Sequence, residues 1–355
     1  MIKSLKLILN PQPKQQGNSG FTLVELLVAM VLTALVITPI LGLVVNMLDT
    51  DRKEEAKATS EQEIQAAEDY IARDLQQAIY IYDNDALTNN FTLSTTSGIQ
   101  DQIPPTVTAN ISPSISSSDI CNSTSTCIPV LVFWKREYVP NSVSVETSSG
   151  GTSTQTDGGF AYALVAYYYI TNPTSTTGIW SPEARIGRFE LRGPVLETNS
   201  NTQGTSCDTG YNYPPINNNN ITGATLKQIM DQWANAFTNN SAETPPTCGT
   251  ASQSFTQTVN ILIDYVSTTG PTISCPNNSQ STSSNPNGTP LEGVGINGTG
   301  FYACVDATNV FAQVYIRGNA LARLQSTNIA YSNNPSTYFP SENVQTQGHG
   351  YLYVQ

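Results

Sequence analysis

The first strong feature along the chain is an uncharged apolar run from Leu26 to Leu48, LLVAMVLTALVITPILGLVVNML. It is long enough to cross a hydrocarbon layer of about 30 Å as a helix. Downstream the pattern changes. From Lys53 to about Tyr82, apolar positions recur at three- and four-residue spacing through Ile64, Ala67, Ile71, Leu75, Ala78 and Tyr82, which predicts an amphipathic helix. No Pro or Gly interrupts it, so a continuous helix from Phe21 to Tyr82 is expected, roughly 90 Å long at 1.5 Å per residue. Pro39 and Gly42 lie inside the apolar half, where a missing backbone donor predicts a local kink or opened turn.

Beyond Asn84 the apolar segments are short and rich in β-formers. Strands are predicted over 128–134, 160–170, 186–192, 255–266 and 310–318, and one short helix over 225–237. Between them lie Thr-, Ser-, Asn- and Gln-rich connections at 88–120, 140–159, 196–224, 238–254, 267–300 and 325–348. The pattern is that of an α+β chain: a long N-terminal helix packed on an antiparallel sheet, with long polar loops. It divides into a leader (1–20), a membrane half of the helix (21–48), an amphipathic half (49–84) and a β-rich outer domain (85–355).

The boundary before the apolar run carries the sharpest motif, SGFTLVELL, from Ser19 to Leu27. It resembles the signal of type IV pilins and pseudopilins. The resemblance implies that a prepilin peptidase cuts after Gly20, that Phe21 becomes the methylated first residue, and that Glu25 is the acidic residue at mature position five. A carboxylate at the head of an apolar helix is costly in lipid without a partner, and the new amino group on Phe21 of a neighbouring subunit would supply one. The helix dipole favours the same carboxylate. The leader is basic (Lys3, Lys6, Lys14) and the flank after the run is acidic on balance, which predicts that the outer domain faces outward; the resemblance implies that it lies in the periplasm or in a cell-surface filament. The stretch AEDYIARDLQQAIYI is similar to the helix of minor pilins and pseudopilins, with Arg73, Asp74, Leu75 and Ala78 at the matching places. As plain chemistry, Asp69 and Arg73 form an i,i+4 surface pair.

The phrases IPVLVFWKRE, LVAYYYI and WSPEARIGRFELR resemble a pseudopilin of the hormogonium polysaccharide secretion system of filamentous cyanobacteria. That implies a role in polysaccharide export and gliding, with prepilin peptidase, other pilin or pseudopilin subunits and an inner-membrane assembly platform as partners. Polysaccharide itself is a further candidate partner. Tyr167, Tyr168, Tyr169, Trp134 and Trp180 could stack on sugars, although 17 tyrosines in a β-rich chain are more often core residues.

The formal net charge of −12 becomes −15 once a leader holding three of the 15 basic residues is removed, leaving 12 against 27 acids. Such a surface repels phosphate backbones and disfavours nucleic acid as a partner. The six cysteines, Cys121, Cys127, Cys207, Cys248, Cys275 and Cys304, all follow the apolar run, as disulfides in an oxidising compartment would. Fifteen pairings are possible; short loops close most easily, which favours Cys121 with Cys127, Cys207 with Cys248 and Cys275 with Cys304. The acids Asp83, Asp85, Asp157, Asp208, Asp231, Asp264 and Asp306 are scattered, no nucleophile–base pattern accompanies them, and His349 is the lone histidine. No enzyme, cofactor or metal is expected; Asp83, Asn84 and Asp85 offer oxygen ligands for calcium but read better as an Asx-type helix end.

Overall fold

A computed structural model describes residues 20–94, 96–105, 121, 126–146, 152–171, 180–195, 207–215, 225–238, 248, 255–276, 291–325, 329–332 and 336–349. The leader, apart from Gly20, lies outside them, as do large parts of the polar connections. Two compact units part between Arg52 and Lys53.

The first unit contains the opening of helix α1 (Leu23–Gln76). Thr22 starts it: its hydroxyl accepts from the Glu25 backbone N–H at 3.3 Å. Thr33 and Thr38 hydroxyls donate to the carbonyls of Ala29 and Ala34, each at 2.7 Å. The helix continues through Pro39. Every residue from Gly20 to Arg52 is exposed within the chain.

In the second unit α1 buries Ala56, Ser60, Ile64, Ala67, Ile71 and Leu75, one stripe at three- and four-residue spacing. The helix ends at Gln76, six residues short of the expected Tyr82. Ala78–Ile81 instead forms strand β1, because a β-forming Ile-Tyr-Ile run finds a partner strand: Ala78, Tyr80 and Ile81 sit opposite Lys135, Trp134 and Phe133. The 3.6-residue spacing of Ala78 and Tyr82 is therefore incidental.

Helix α2 (Asn84–Thr88) follows, capped by Asp83, and then strands β2 (Cys127–Glu146), β3 (Thr152–Ile170) and β4 (Ala184–Val195). After a short helix α3 (Leu226–Met230) comes β5 (Asn260–Val266), and β1 to β5 make an antiparallel sheet in sequence order. A second antiparallel sheet runs β6 (Glu292–Val294), β7 (Phe301–Asp306), β8 (Phe311–Arg317) and β9 (Ser341–Gln347). The chain thus has the α+β, pilin-like architecture of a long N-terminal helix packed on antiparallel sheet.

Several expected boundaries change. The 140–159 connection is largely the extended arms of the β2–β3 hairpin, the predicted 225–237 helix keeps one capped turn, and β6, β7 and β9 arise where loops were expected or no element was assigned. The two sheets are stitched at one corner. The Ser267 N–H donates to the Arg317 carbonyl (2.9 Å), the Gly300 N–H to the Ser267 carbonyl (2.8 Å) and the Arg317 N–H to the Gly300 carbonyl (2.8 Å). A Cβ at Gly300 would come within 2.6 Å of two of those carbonyl oxygens, so the close approach needs glycine.

Both faces of the first sheet are covered. Val165, Tyr167 and Phe133 face α1, while Trp134, Tyr80 and Phe189 face the layer around α3, where Trp134 meets Trp233 edge-on at 5.7 Å and Phe189 meets Phe255 at 5.5 Å. Hence Tyr167, Tyr168 and Tyr169 are all buried despite being consecutive.

Candidate functional site

The residues around Gly20 have the chemistry of a processing and insertion site. Gly20 is exposed, with open space where a Cβ would stand, so a protease could reach the bond that follows it. Phe21 is 82% exposed and Glu25 lies in the first turn of α1. Between Phe21 and Leu48 Glu25 is the single charged residue. The large apolar side chains of that stretch, Leu23 to Leu48, are all exposed within the chain. A soluble domain rarely displays so much contiguous apolar surface. The stretch is long and apolar enough to cross a membrane, and its position near the N-terminus also fits a signal-like segment.

Residues 15–41 match the family model described as the prokaryotic N-terminal methylation motif. The chain carries an N-terminal methylation motif. This motif is typical of type IV pilin-like and pseudopilin-like proteins, and it implies processing by a prepilin-peptidase-like system. It covers Gly20, Phe21, Glu25 and the apolar run as far as Leu41. Among curated proteins and solved structures, none matches this chain.

Outside the methylation motif, the densest polar constellation lies where α1 meets the first sheet. Asp74 of α1 receives Lys135 Nζ on Oδ1 at 3.2 Å, and on Oδ2 both Arg188 Nε at 2.8 Å and the Tyr167 hydroxyl at 2.7 Å. Lys135 also reaches Glu137 at 3.0 Å and Glu190 at 3.2 Å, and Arg188 pairs with Glu190. Burial alone would raise the Asp74 pKa, but the two cations and the hydrogen bonds outweigh it and hold the carboxyl below its ordinary value. Burial likewise opposes the charge on Lys135, and Asp74, Glu190 and Glu137 reverse the effect, raising its pKa. The neighbouring Arg73 donates from Nε to the Asp69 main-chain carbonyl at 3.1 Å, a local helix contact in place of the expected side-chain pair. The sequence reading matched Asp74 to the helix of minor pilins and Asp69 with Arg73 to a surface pair, but it gave Asp74 no partner, because Lys135, Tyr167 and Arg188 are distant in the chain.

Where an Asx-type helix end was expected, Asp83 instead caps the start of α2: Oδ1 accepts from the Ala86 N–H at 3.1 Å. Its other oxygen meets Lys227 Nζ at 2.9 Å, and Lys227 also meets Asp231 at 2.9 Å. An ammonium group therefore occupies the position a cation would take, and among the described residues no group of three or more His, Cys, Asp and Glu side chains could hold a metal ion. Asp208, Asp264 and Asp306 accept from Arg192, Ser181 and Thr308 backbone N–H groups, which are structural tasks. His349 is exposed, and its backbone N–H closes on the Gln76 carbonyl at 3.0 Å.

Burial, aided by Asp83 and only partly offset by Lys227 and Tyr80, pushes the Asp231 carboxyl up from 3.8 to about 6. Since the folded state then holds this proton more tightly than the unfolded chain, the group's contribution to stability falls as pH rises from about 4 through about 6. Asp231→Asn should remove that slope, worth at most about 3 kcal/mol. Unfolding midpoints at several pH values would check it; an unchanged slope would place the titration elsewhere.

The cysteines fall in three pairs, Cys121 with Cys127, Cys207 with Cys248 and Cys275 with Cys304, at Cα separations of 5.4, 5.9 and 5.5 Å. Cys127, Cys248 and Cys304 are buried. Of the aromatics considered for sugar stacking, Trp134 and Tyr167 to Tyr169 are core residues, and Trp180 is half-buried beneath Arg185 at 5.3 Å. They form no exposed stacking row.

Proposed function

We propose that the chain is a structural minor pseudopilin, without catalytic activity, of a type IV pilus-like or type II secretion-like filament. It is inserted in the cytoplasmic membrane by residues 21–48, with the second unit on the periplasmic side, and is then assembled. Prepilin peptidase cuts after Gly20, Phe21 is methylated, and Glu25 pairs with the amino group on Phe21 of an adjacent subunit. The observation that carries this reading is the lone carboxylate of Glu25, four residues after Phe21, on a stretch of α1 whose large apolar side chains, Leu23 to Leu48, are uncovered. A charge costs about 3 kcal/mol at the centre of a membrane helix on insertion scales and less toward its end, and a partner cation offsets that cost. Other subunits would cover the apolar helix, and an inner-membrane assembly platform would extract it. The proposed task is to assist polysaccharide secretion and gliding, supported by the outer-unit resemblance carried by IPVLVFWKRE, LVAYYYI and WSPEARIGRFELR.

The test is intact mass and N-terminal sequencing of the membrane-fraction protein with and without the peptidase. A peptidase-dependent chain beginning at methylated Phe21 is expected. A chain still beginning at Met1 in the presence of active peptidase would overturn the reading and leave a signal-anchored surface protein.

A further inference from the structure

Strand β9 is the outer strand of its sheet, and its ladder with β8 runs from Ser341 to Gln347 without a register shift. At its ends the Gly318 N–H bonds to the Pro340 carbonyl and the Gly348 N–H to the Val310 carbonyl, each within 2.9 Å. Antiparallel alternation then directs the backbone groups of Glu342, Val344 and Thr346 toward β8, and those of Ser341, Asn343, Gln345 and Gln347 away from it. No backbone hydrogen bond reaches those four residues among the described residues. The strand has no lysine, no proline within it and no bulge, Glu342 is its single charge, and five of its seven residues are exposed.

Two features indicate what would cover it. On one face, a cleft of about 240 Å³ opens beside the start of the strand, walled by Ser341, Asn343, Tyr315 and Ile273. An open edge with an adjoining side-chain cleft suits an added strand, whose backbone supplies affinity and whose alternate side chains supply selectivity. On the other face, exposed Glu342 stands near Glu68 of α1; burial first, then Glu342 and the adjacent Asp69, raise the Glu68 carboxyl. A cation would relieve that repulsion. A second copy of this chain would add acids to a protein already at −12.

We propose that β9 is a docking edge for an extended segment of a different protein, which adds as a strand and sets a lysine or arginine opposite Glu342. The site does not depend on cleavage at Gly20.

The test uses the full chain in detergent micelles and two capped peptides matching the seven residues of β9 in length, one alternating valine with lysine and the other valine with glutamate. Fluorescence anisotropy should show binding of the first alone. Asn343→Pro removes one outward N–H and leaves the β8 ladder intact, and should weaken binding about tenfold or more. Gln345→Pro should act alike, and circular dichroism of both variants checks that they fold. Failure of the lysine peptide to bind, equal binding by folded proline variants, or equal binding of the glutamate peptide would overturn the proposal. So would self-association that Asn343→Pro dissolves, which would make the occupant a second copy.

Discussion

Asp74→Ala should lower the stability of the second unit by up to about 3 kcal/mol, because it takes from the buried cations Lys135 and Arg188 one of the two carboxylates they share and leaves them Glu190 alone in common. The side chains of Asp74, Lys135 and Arg188 are 11, 6 and 14% exposed, so water cannot replace the lost carboxylate cheaply. The contrast is Lys57→Ala on the same helix. Lys57 meets Glu61 at 3.9 Å with 27 and 44% exposure, and its loss should change stability by less than about 0.5 kcal/mol. Denaturant unfolding followed by tryptophan fluorescence would report both, since Trp134 and Trp233 are buried. The pH dependence carries a sign. The folded-state pKa of Asp74 is depressed, so its contribution is fully present above the ordinary value of 3.8 and is lost as pH falls through the lower folded value. Asp74→Ala should abolish that acid limb. A loss below about 1 kcal/mol, with the acid limb unchanged, would show that the ion network does not fasten the helix to the sheet.

This network also shows why some of the molecule could be read from its residues and some could not. Uninterrupted apolar character makes the first half of α1 legible, and a single acid at Glu25 within it marks a place where chemistry must happen. Asp74 carries no such mark. It sits beside Arg73 in a polar stretch, and what distinguishes it is Lys135 and Arg188, 61 and 114 residues away. The end of α1 was obscured for a related reason: Ala78 to Ile81 suits either element locally, and the strand wins through its partner β2. In β9, SENVQTQ lacks apolar alternation because the strand is mostly exposed, with Thr346 its buried position, so its pairing with β8 leaves almost no hydrophobic trace. The tyrosines erred in the opposite direction. Three in succession are buried because α1 covers one face of β3 and the layer around α3 covers the other.

Removing the Cys207–Cys248 link should be the most damaging change among the cysteines. The link spans 41 residues, against 29 for Cys275–Cys304 and 6 for Cys121–Cys127. Loop-closure entropy in the unfolded chain then gives about 4 kcal/mol for the first, slightly less for the second and about 2 kcal/mol for the third. The packing around the first pair adds to the case. The Cys248 N–H donates to the Tyr211 carbonyl at 3.0 Å, and its carbonyl accepts from the Gly210 N–H. Tyr211 in turn packs edge-on against Trp134 at 6.0 Å, so the link holds a segment that covers the face of the first sheet opposite α1. A Cys207→Ala/Cys248→Ala protein should therefore unfold at much lower denaturant, with Trp134 fluorescence altered before unfolding. Cys121→Ala/Cys127→Ala should lose roughly half as much. If the two double variants were equally stable, unfolded-chain entropy would not be what these links contribute, and the local packing of each pair would have to account for their effect.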